Sequence, residues 1–533
     1  MPRPSGHGSA RAMTASTPLS PAFRWVVTVV GFSLVALVRA QTIPSDVAPA
    51  TTPEALRERL EARLQDPRFA GALWSAKVVS LRTGAVWFEH ESRRLMSPAS
   101  NSKLYTAALA LDRLGAEARL ETPVLTTVPV DSAGEVKGDL VIHGRGDPDW
   151  NPRRRQEDFW KAFEPVVAVV QKAGVRRITG DIVADATWFR MRNHGAGWTA
   201  DDLNDYYGAE VSALTLEENY VDLRVTPGTS AGTMARVEVL QPLSGLSFVN
   251  EIRTVPAGGK ARIVVHRLAG EAEVYLSGEI AVGAKEEITE ATVPRPAQWY
   301  AAALREALLR AGVRVEGQAR SRRWPEPSAA ALAPVMIGTV KSTPVRDQVT
   351  LIMKPSQNLR TDLLFAHLGE LRRRADTPGW RTAEELAVED LEAFLTENRL
   401  LAEDVRFEEG SGLSRNNLTS AAAVVALLEH MTRHREANAF RESLPVAGVD
   451  GTLRRRMKDT PAAGNLRAKT GTLRWAQTLS GYVTTARGEP LAFSLLLNRY
   501  RPVGSRTGAT ELDEVAVMLA ACQIGGGAPS AAR

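Results

Sequence analysis

The sequence predicts an α/β (α+β) protein in which one helix-and-sheet domain is interrupted by smaller, mainly β domains. Three observations carry this. Residues up to about 118 and again after about 335 hold apolar patterns of helical period beside strand-like runs. Residues 119–330 instead hold short alternating segments, among them "GDLVIHGRGD", "YVDLRVTPG", "ARIVVHRL" and "AEVYLSGEIAV", punctuated by Gly, Pro and Asn. No tandem repeat is visible, and 533 residues at roughly 150 per domain suggest about three domains.

Taken in order, the first element is "VVTVVGFSLVALV", residues 26–38, which follows Arg24 and precedes small residues, Val38 and Ala40, at the −3 and −1 positions of a cut. This is the layout of a secretory signal peptide over residues 1–40, with Met13 as an alternative start. An uncleaved anchor is the competing reading, but the apolar core is short for a membrane span. No cysteine follows the cut to carry a lipid, and the single cysteine, Cys522, leaves an exported chain without internal disulfides. "TPEALRERLEARLQDPRF" predicts a helix capped by Thr52 with Pro53 in its first turn. "LWSAKVVSLRTGAVWFEHES" predicts a hairpin turning at Thr83-Gly84, and "MSPASNSKLYTAALALDRLG" a helix beginning near Ser100. Within the β-rich stretch one helix stands out, "AQWYAAALREALLRAG", stopped by Gly312 and followed by a strand, "VRVEG". Further on, "TAEELAVEDLEAFLTEN" opens with a Thr382/Glu385 capping box, and "TSAAAVVALLEHMTRH" is a second apolar helix. "LRAKTGTLRWAQTLSGYV" and "PLAFSLLLNR" read as adjacent strands.

A net charge of +5 invites a nucleic-acid partner, but residues 1–40 contribute four arginines and no acid, leaving 62 basic and 61 acidic residues. The remaining basic runs are scattered and no nucleic-acid motif accompanies them, so no nucleic-acid role is expected.

The chemistry lies in three short motifs. Ser100 and Lys103 are i and i+3 on one helix face. A lysine in a first turn opposes the helix dipole. A serine needs a base to become a nucleophile, and a lysine neutralised by burial and nearby positive charge could be that base. Alone the pair also describes a helix cap and a surface lysine. Downstream, however, stand Ser356-Gln357-Asn358 and Lys469-Thr470-Gly471. Ser-x-x-Lys, Ser-x-Asn and Lys-Thr-Gly in this order form the signature of penicillin-interacting serine enzymes. The residue types suit the roles. Ser356 can pass a proton between Lys103 and a leaving amine, and Asn358 can hold Lys103 and a substrate amide. Lys469 supplies positive charge, which lowers the pKa of Lys103 and attracts a carboxylate that Thr470 and Thr472 can also bind. Gly471 lets a substrate strand approach an edge backbone, and the N–H groups of Ser100 and Thr472 would form an oxyanion hole.

With "GRGDPDW", "EEGSGLSRNNLTS", "LPVAGVDGTLRRRM" and "GNLRAKTGTL" added, the sequence resembles the peptidase S13 family, D-alanyl-D-alanine carboxypeptidases/endopeptidases of the penicillin-binding protein 4 type, over about residues 70–520. The resemblance implies a transpeptidase-like catalytic domain, helices around a central antiparallel sheet, formed by residues 41–118 and 335–525. It implies an inserted domain II of residues 119–215 and 292–334, a β-sandwich-like domain III of residues 216–291 nested in it, and a loose tail at 526–533. It implies a periplasmic hydrolase that attacks the D-Ala-D-Ala bond of peptidoglycan stem peptides, and their cross-links, through an acyl-enzyme on Ser100. The catalytic residues would be Ser100, Lys103 and Ser356, with Asn358, Lys469, Thr470, Gly471 and Thr472 binding substrate. β-Lactams would be covalent inhibitors, no cofactor would be needed, and association with membrane or cell wall would be loose at most. Glu409 departs from the family's usual aspartate, with a structural effect expected. The alternatives are a β-lactamase, which would need a deacylating base that residues 359–468 do not advertise, and a non-catalytic cell-wall scaffold.

Other candidates carry plainer readings. His430 and His434 share a helix face but lack the glutamate placement of a zinc peptidase, so no metal is expected. Trp150, Trp160, Trp188 and Trp198 are expected to pack rather than stack on sugars, and Asp147 to cap backbone amides.

Overall fold

The computed structural model describes residues 48–525, so the signal-peptide segment 1–40 and the tail 526–533 lie outside the described residues. The central sheet has five antiparallel strands in the order Arg467–Leu473, Ala476–Thr484, Pro490–Asn498, Leu73–Ser80, Val86–His90. The middle strand, "PLAFSLLLN", is buried along nearly its whole length, because both faces of the sheet are covered. On one face Trp74, Ala76, Val78, Leu479 and Phe493 pack against Leu56 and Leu60 of helix Pro53–Leu64 and Leu512, Val515 and Leu519 of helix Gly508–Ala521. On the other, Val79, Tyr482 and Ala492 pack against helix Ser102–Leu114 and helix Ala421–Arg433. Helix Ser102–Leu114 is buried from Ser102 to Leu111, which its run of Leu, Ala and Tyr permits. Each fully buried leucine there contributes about 1.5–3 kcal/mol.

The expected caps are in place. Thr52 Oγ1 accepts from Ala55 N–H, and Thr382 and Glu385 form the capping box of helix Ala383–Glu397. The hairpin after Ser80 turns through Gly84 in the left-handed region, φ 74°, where a side chain would be strained.

Between residues 115 and 344 the chain builds separate sheets. One has five strands in the order Ala319–Arg322, Ile182–Asp185, Leu140–His143, Glu121–Thr126, Val335–Lys341, with parallel pairing among the first three. Three three-stranded sheets lie within it in sequence, the larger two being Glu287–Thr292, Tyr220–Thr226, Arg236–Val239, and Ser247–Val255, Glu273–Ala281, Arg262–Arg267. Val221, Leu223 and Val225 of one and Ile252, Val274, Leu276 and Ile280 of the other belong to one core cluster. Two features differ from the sequence expectation. Val335–Lys341, assigned to the catalytic segment by the boundary at 335, pairs with Glu121–Thr126 and forms an edge of the inserted sheet. The five-stranded inserted sheet also carries parallel strands, connected through the expected helix Pro296–Arg310 and through an unexpected one, Glu164–Lys172. "EPVVAVVQK" is too short and too rich in β-branched residues to announce a helix.

Candidate active site

Ser100 sits in a short 3-10 turn, Ala99–Asn101, that leads into helix Ser102–Leu114. Ala99 adopts φ 46°, a strained position held by its surroundings. Asn101 Nδ2 donates to Ser480 Oγ at 2.6 Å and Thr478 Oγ1 donates to Pro98 O at 2.9 Å, so the turn is clamped to the central sheet. Strand Arg467–Leu473 passes so close that a Cβ on Gly471 would stand 2.7 Å from Pro98 O and 3.0 Å from Ser100 N. That proximity is why the position is glycine.

Lys103 is fully buried. Its Nζ stands 3.0 Å from Ser100 Oγ, 2.7 Å from Asn358 Oδ1 and 2.6 Å from Ser411 O. Asn358 is the first residue of helix Asn358–Arg372, and its Nδ2 donates to Tyr207 O at 2.9 Å, which fixes which way its amide faces. Two of the three partners of Lys103 can therefore only accept. A neutral amine spends its two N–H groups on them and turns its lone pair to the third, the Ser100 hydroxyl. Burial pushes Lys103 from 10.5 down to about 8, against the nearby carboxylates of Asp362 and Glu409, which raise it. The net shift disfavours the charged form by roughly 3 kcal/mol.

Lys469 Nζ donates to Ser356 Oγ at 2.8 Å and to Thr470 O at 2.7 Å. Ser356 holds φ 63°, another strained residue at the cleft. Thr470 Oγ1 donates to Thr452 Oγ1 at 2.8 Å, and the exposed Thr472 hydroxyl to Gln477 Oε1 at 3.1 Å. The structure thus brings all eight expected residues into one cluster, with two adjustments. Burial, not the Lys469 charge, is the first cause of the lowered Lys103 pKa, and Lys469 is itself pushed well down by burial and by the charges of Lys103 and Arg456. The hydroxyl of Ser356 is bonded to Lys469, while the donor positions of Lys103 face Ser100, Asn358 and Ser411.

Sequence reasoning missed the support beneath Lys103. Glu409, 1% exposed, accepts from Ser411 N–H at 2.8 Å, Gly412 N–H at 2.7 Å and Asn417 Nδ2 at 2.9 Å, and from the Ser411 hydroxyl. These bonds shape the loop that aims Ser411 O at Lys103. Asp362 Oδ1 also accepts from Ser411 N–H, and burial and the Glu409 carboxylate push Asp362 well above the usual range. The "EEGSGLSRNN" block was the available signal, but nothing in it points at Lys103. Tyr207, from the inserted segment, had no signal at all.

The remaining candidates lie elsewhere. Asp147 Oδ1 accepts from Asp149 N–H at 2.9 Å as a turn cap, and burial pushes it up to about 8. Trp150 is buried edge-on to Tyr300, Trp160 lies under Arg310, Trp188 beside Phe189 and His367, and Trp198 beside His194. His434 Nε2 meets Asp112 Oδ1 at 3.1 Å and His430 packs edge-on to Phe394.

A serine beside a neutralisable lysine, under an edge strand with a second buried lysine, is the site of a serine acyl-transfer enzyme. Comparison with known proteins narrows the class. A D-alanyl-D-alanine carboxypeptidase of Actinomadura sp. (strain R39) is 32% identical over all of this chain and 94% of that protein. D-alanyl-D-alanine carboxypeptidase DacB of Haemophilus influenzae is 25% identical over 77% of this chain and 82% of that one. The crystal structure of penicillin binding protein 4 from Haemophilus influenzae shares the fold, with a TM-score of 0.73 and 23% identity, over 86% of this chain and 97% of that one. The chain belongs to the D-Ala-D-Ala carboxypeptidase 3 (S13) family, whose model matches residues 56–521, and is a serine-type D-Ala-D-Ala carboxypeptidase.

Proposed function

We propose that this enzyme trims and opens peptidoglycan stem peptides through an acyl-enzyme on Ser100, and that β-lactams acylate the same hydroxyl. The observation that carries the assignment of Ser100 is the Lys103 amine, fully buried and 3.0 Å from Ser100 Oγ with acceptors at its other positions. Lys103 takes the Ser100 proton as Oγ attacks the carbonyl between two D-alanines. The backbone N–H groups of Ser100 and Thr472 hold the oxyanion. Lys469, Thr470 and Thr472 bind the substrate carboxylate, which supplies Lys469 with the counter-charge that its own neighbours lack. Asn358 fixes Lys103, and Ser356 passes the proton taken up by Lys103 on to the departing D-Ala amine, which leaves Lys103 neutral again. Water then releases the peptide from Ser100. A cross-link in which the amine belongs to a second stem peptide is cut by the same steps. The enzyme uses no cofactor and takes no nucleic acid.

A likeness to the penicillin binding protein 4 structure complexed with a β-lactam supports the inhibitor reading. Ser100→Ala should abolish both the benzylpenicillin adduct, followed by intact mass, and D-Ala release from a stem peptide. A stable adduct on the variant would reassign the nucleophile. The export pattern at residues 26–40 supports a periplasmic location with Gln41 as the mature N-terminus. N-terminal sequencing of the exported protein checks it. The two inserted sheet units are assigned to a domain II and a nested domain III, with the outer boundary after Lys341.

A further inference from the structure

The proposed roles along strand Arg467–Leu473 set a direction for the substrate. Resting on that reading, a peptide with its carboxylate at Lys469 and Thr470 and its scissile carbonyl at Thr472 runs along an edge strand of the sheet. Its upstream residues then continue past Leu473. At about 3.3 Å per residue, the second and third of them reach the hairpin turn that follows.

That turn is unusual. Leu473 pairs with Ala476, leaving Arg474 and Trp475 as a two-residue tip. Trp475 is 59% exposed, with the Arg474 guanidinium 5.8 Å from its ring centroid. Trp475 O accepts from Arg499 N–H at 2.7 Å, which anchors the turn and brings a second exposed arginine beside it. Neither Arg474 nor Arg499 has a carboxylate within ion-pair distance among the described residues. From Lys469 to Thr510 the only acid is Glu489, which is buried and bonded to Ser80 and Arg82. An exposed indole beside one unneutralised guanidinium, in a turn bonded to the backbone of a second exposed arginine, contributes little to the fold, and it stands where the upstream part of the substrate must go.

We propose that Arg474, Trp475 and Arg499 form a subsite for the upstream, sugar-proximal end of a peptidoglycan stem peptide. The arginines meet the free α-carboxylate of its γ-linked glutamate, a planar anion that a guanidinium fits. The indole face covers the end of the peptide that carries the sugar, as aromatic platforms with one apolar face do at wet interfaces.

The test compares wild type, Trp475→Ala and the double variant Arg474→Gln/Arg499→Gln on three probes. These are a synthetic N-acetylmuramyl pentapeptide ending in D-Ala-D-Ala, a diacylated Lys-D-Ala-D-Ala tripeptide, and benzylpenicillin. Both variants should lose about tenfold in kcat/KM on the muramyl pentapeptide, mostly through KM, since charge-assisted and cation–aromatic contacts are of that size. Tripeptide hydrolysis and penicillin acylation should stay within about twofold of wild type, because these ligands end before the turn. Wild type should also prefer the glutamate carboxylate over its amide, and the double arginine variant should not. Equal losses on all three probes would mean that the turn only shapes the strand, and no loss on the muramyl peptide would remove the subsite; either overturns the proposal while leaving the proposed function intact. If wild type takes neither tripeptide nor penicillin, the functional reading fails and the subsite falls with it.

Discussion

The two walls of the cleft bury the same functional group in opposite company. On the helix side, the Lys103 amine has two acceptors, a hydroxyl and, behind them, the carboxylates of Asp362 and Glu409. On the strand side, the Lys469 amine has one carbonyl, one hydroxyl and only cations among its charged influences. Burial lowers both pKa values, but the helix-side carboxylates hold Lys103 near 8 while nothing does so for Lys469. One wall is therefore complete without ligand, and its amine can cycle between charged and neutral near working pH. The other has no anion of its own, and under the proposed roles a substrate carboxylate would supply one. Burial alone does not make a lysine a base; the neighbours decide whether it titrates usefully or waits for an anion.

The contrast is broken most sharply by exchanging the lysines for arginine. Lys103→Arg keeps a cation and removes the titratable amine, so penicillin acylation should fall about 10²–10⁴-fold, the usual cost of a lost general base. Lys469→Arg keeps the charge that a carboxylate meets, and a fall of only about tenfold is expected. The reverse ranking in stopped-flow acylation would exchange the two assignments.

The pH profile is next in size. A protonated Lys103 cannot accept the Ser100 proton, so the acylation rate should drop as pH falls through about 8, the value to which burial brings this group. The loss should be about tenfold per pH unit below that point, with an apparent midpoint that belongs to the two coupled lysines together. A rate independent of pH from about 6 to about 8 would contradict Lys103 as the base.

Glu409→Gln separates support from charge. However the amide turns, its NH2 faces a backbone N–H of Ser411 or Gly412, so stability should fall by about 1–3 kcal/mol in denaturant unfolding. Acylation should fall about tenfold as Ser411 O loses its aim. Losing a carboxylate that raises Lys103 should also move the acid limb of the pH profile to lower pH. A slower enzyme with an unmoved limb would leave Glu409 a purely structural residue. Thr52→Ala, far from both walls, is the baseline. It removes the cap of helix Pro53–Leu64 and should cost about 0.5–2 kcal/mol of stability, with an unchanged acylation rate per folded molecule.

By itself the sequence determined the elements whose causes are local. The Thr52 cap, the Thr382/Glu385 box, the turn at Gly84 and the alternating inserted strands follow from side-chain chemistry within a few residues, and so were legible. Ser100, Lys103, Ser356, Asn358 and Lys469 through Thr472 were legible because each motif is contiguous and the chemistry demands those residue types. Only the tertiary structure decided what depends on approach between distant segments. Val335–Lys341 alternates in either domain, and only its pairing with Glu121–Thr126 assigns it. Ser411 O reaches Lys103 because Glu409 folds its loop, and Tyr207 orients Asn358 across 151 positions of sequence. The motifs suggested Lys103 as base and Lys469 as anion receiver, but the charges that surround each amine were beyond them. A pKa is set by desolvation and by every nearby charge, and those distances exist only once the chain is packed.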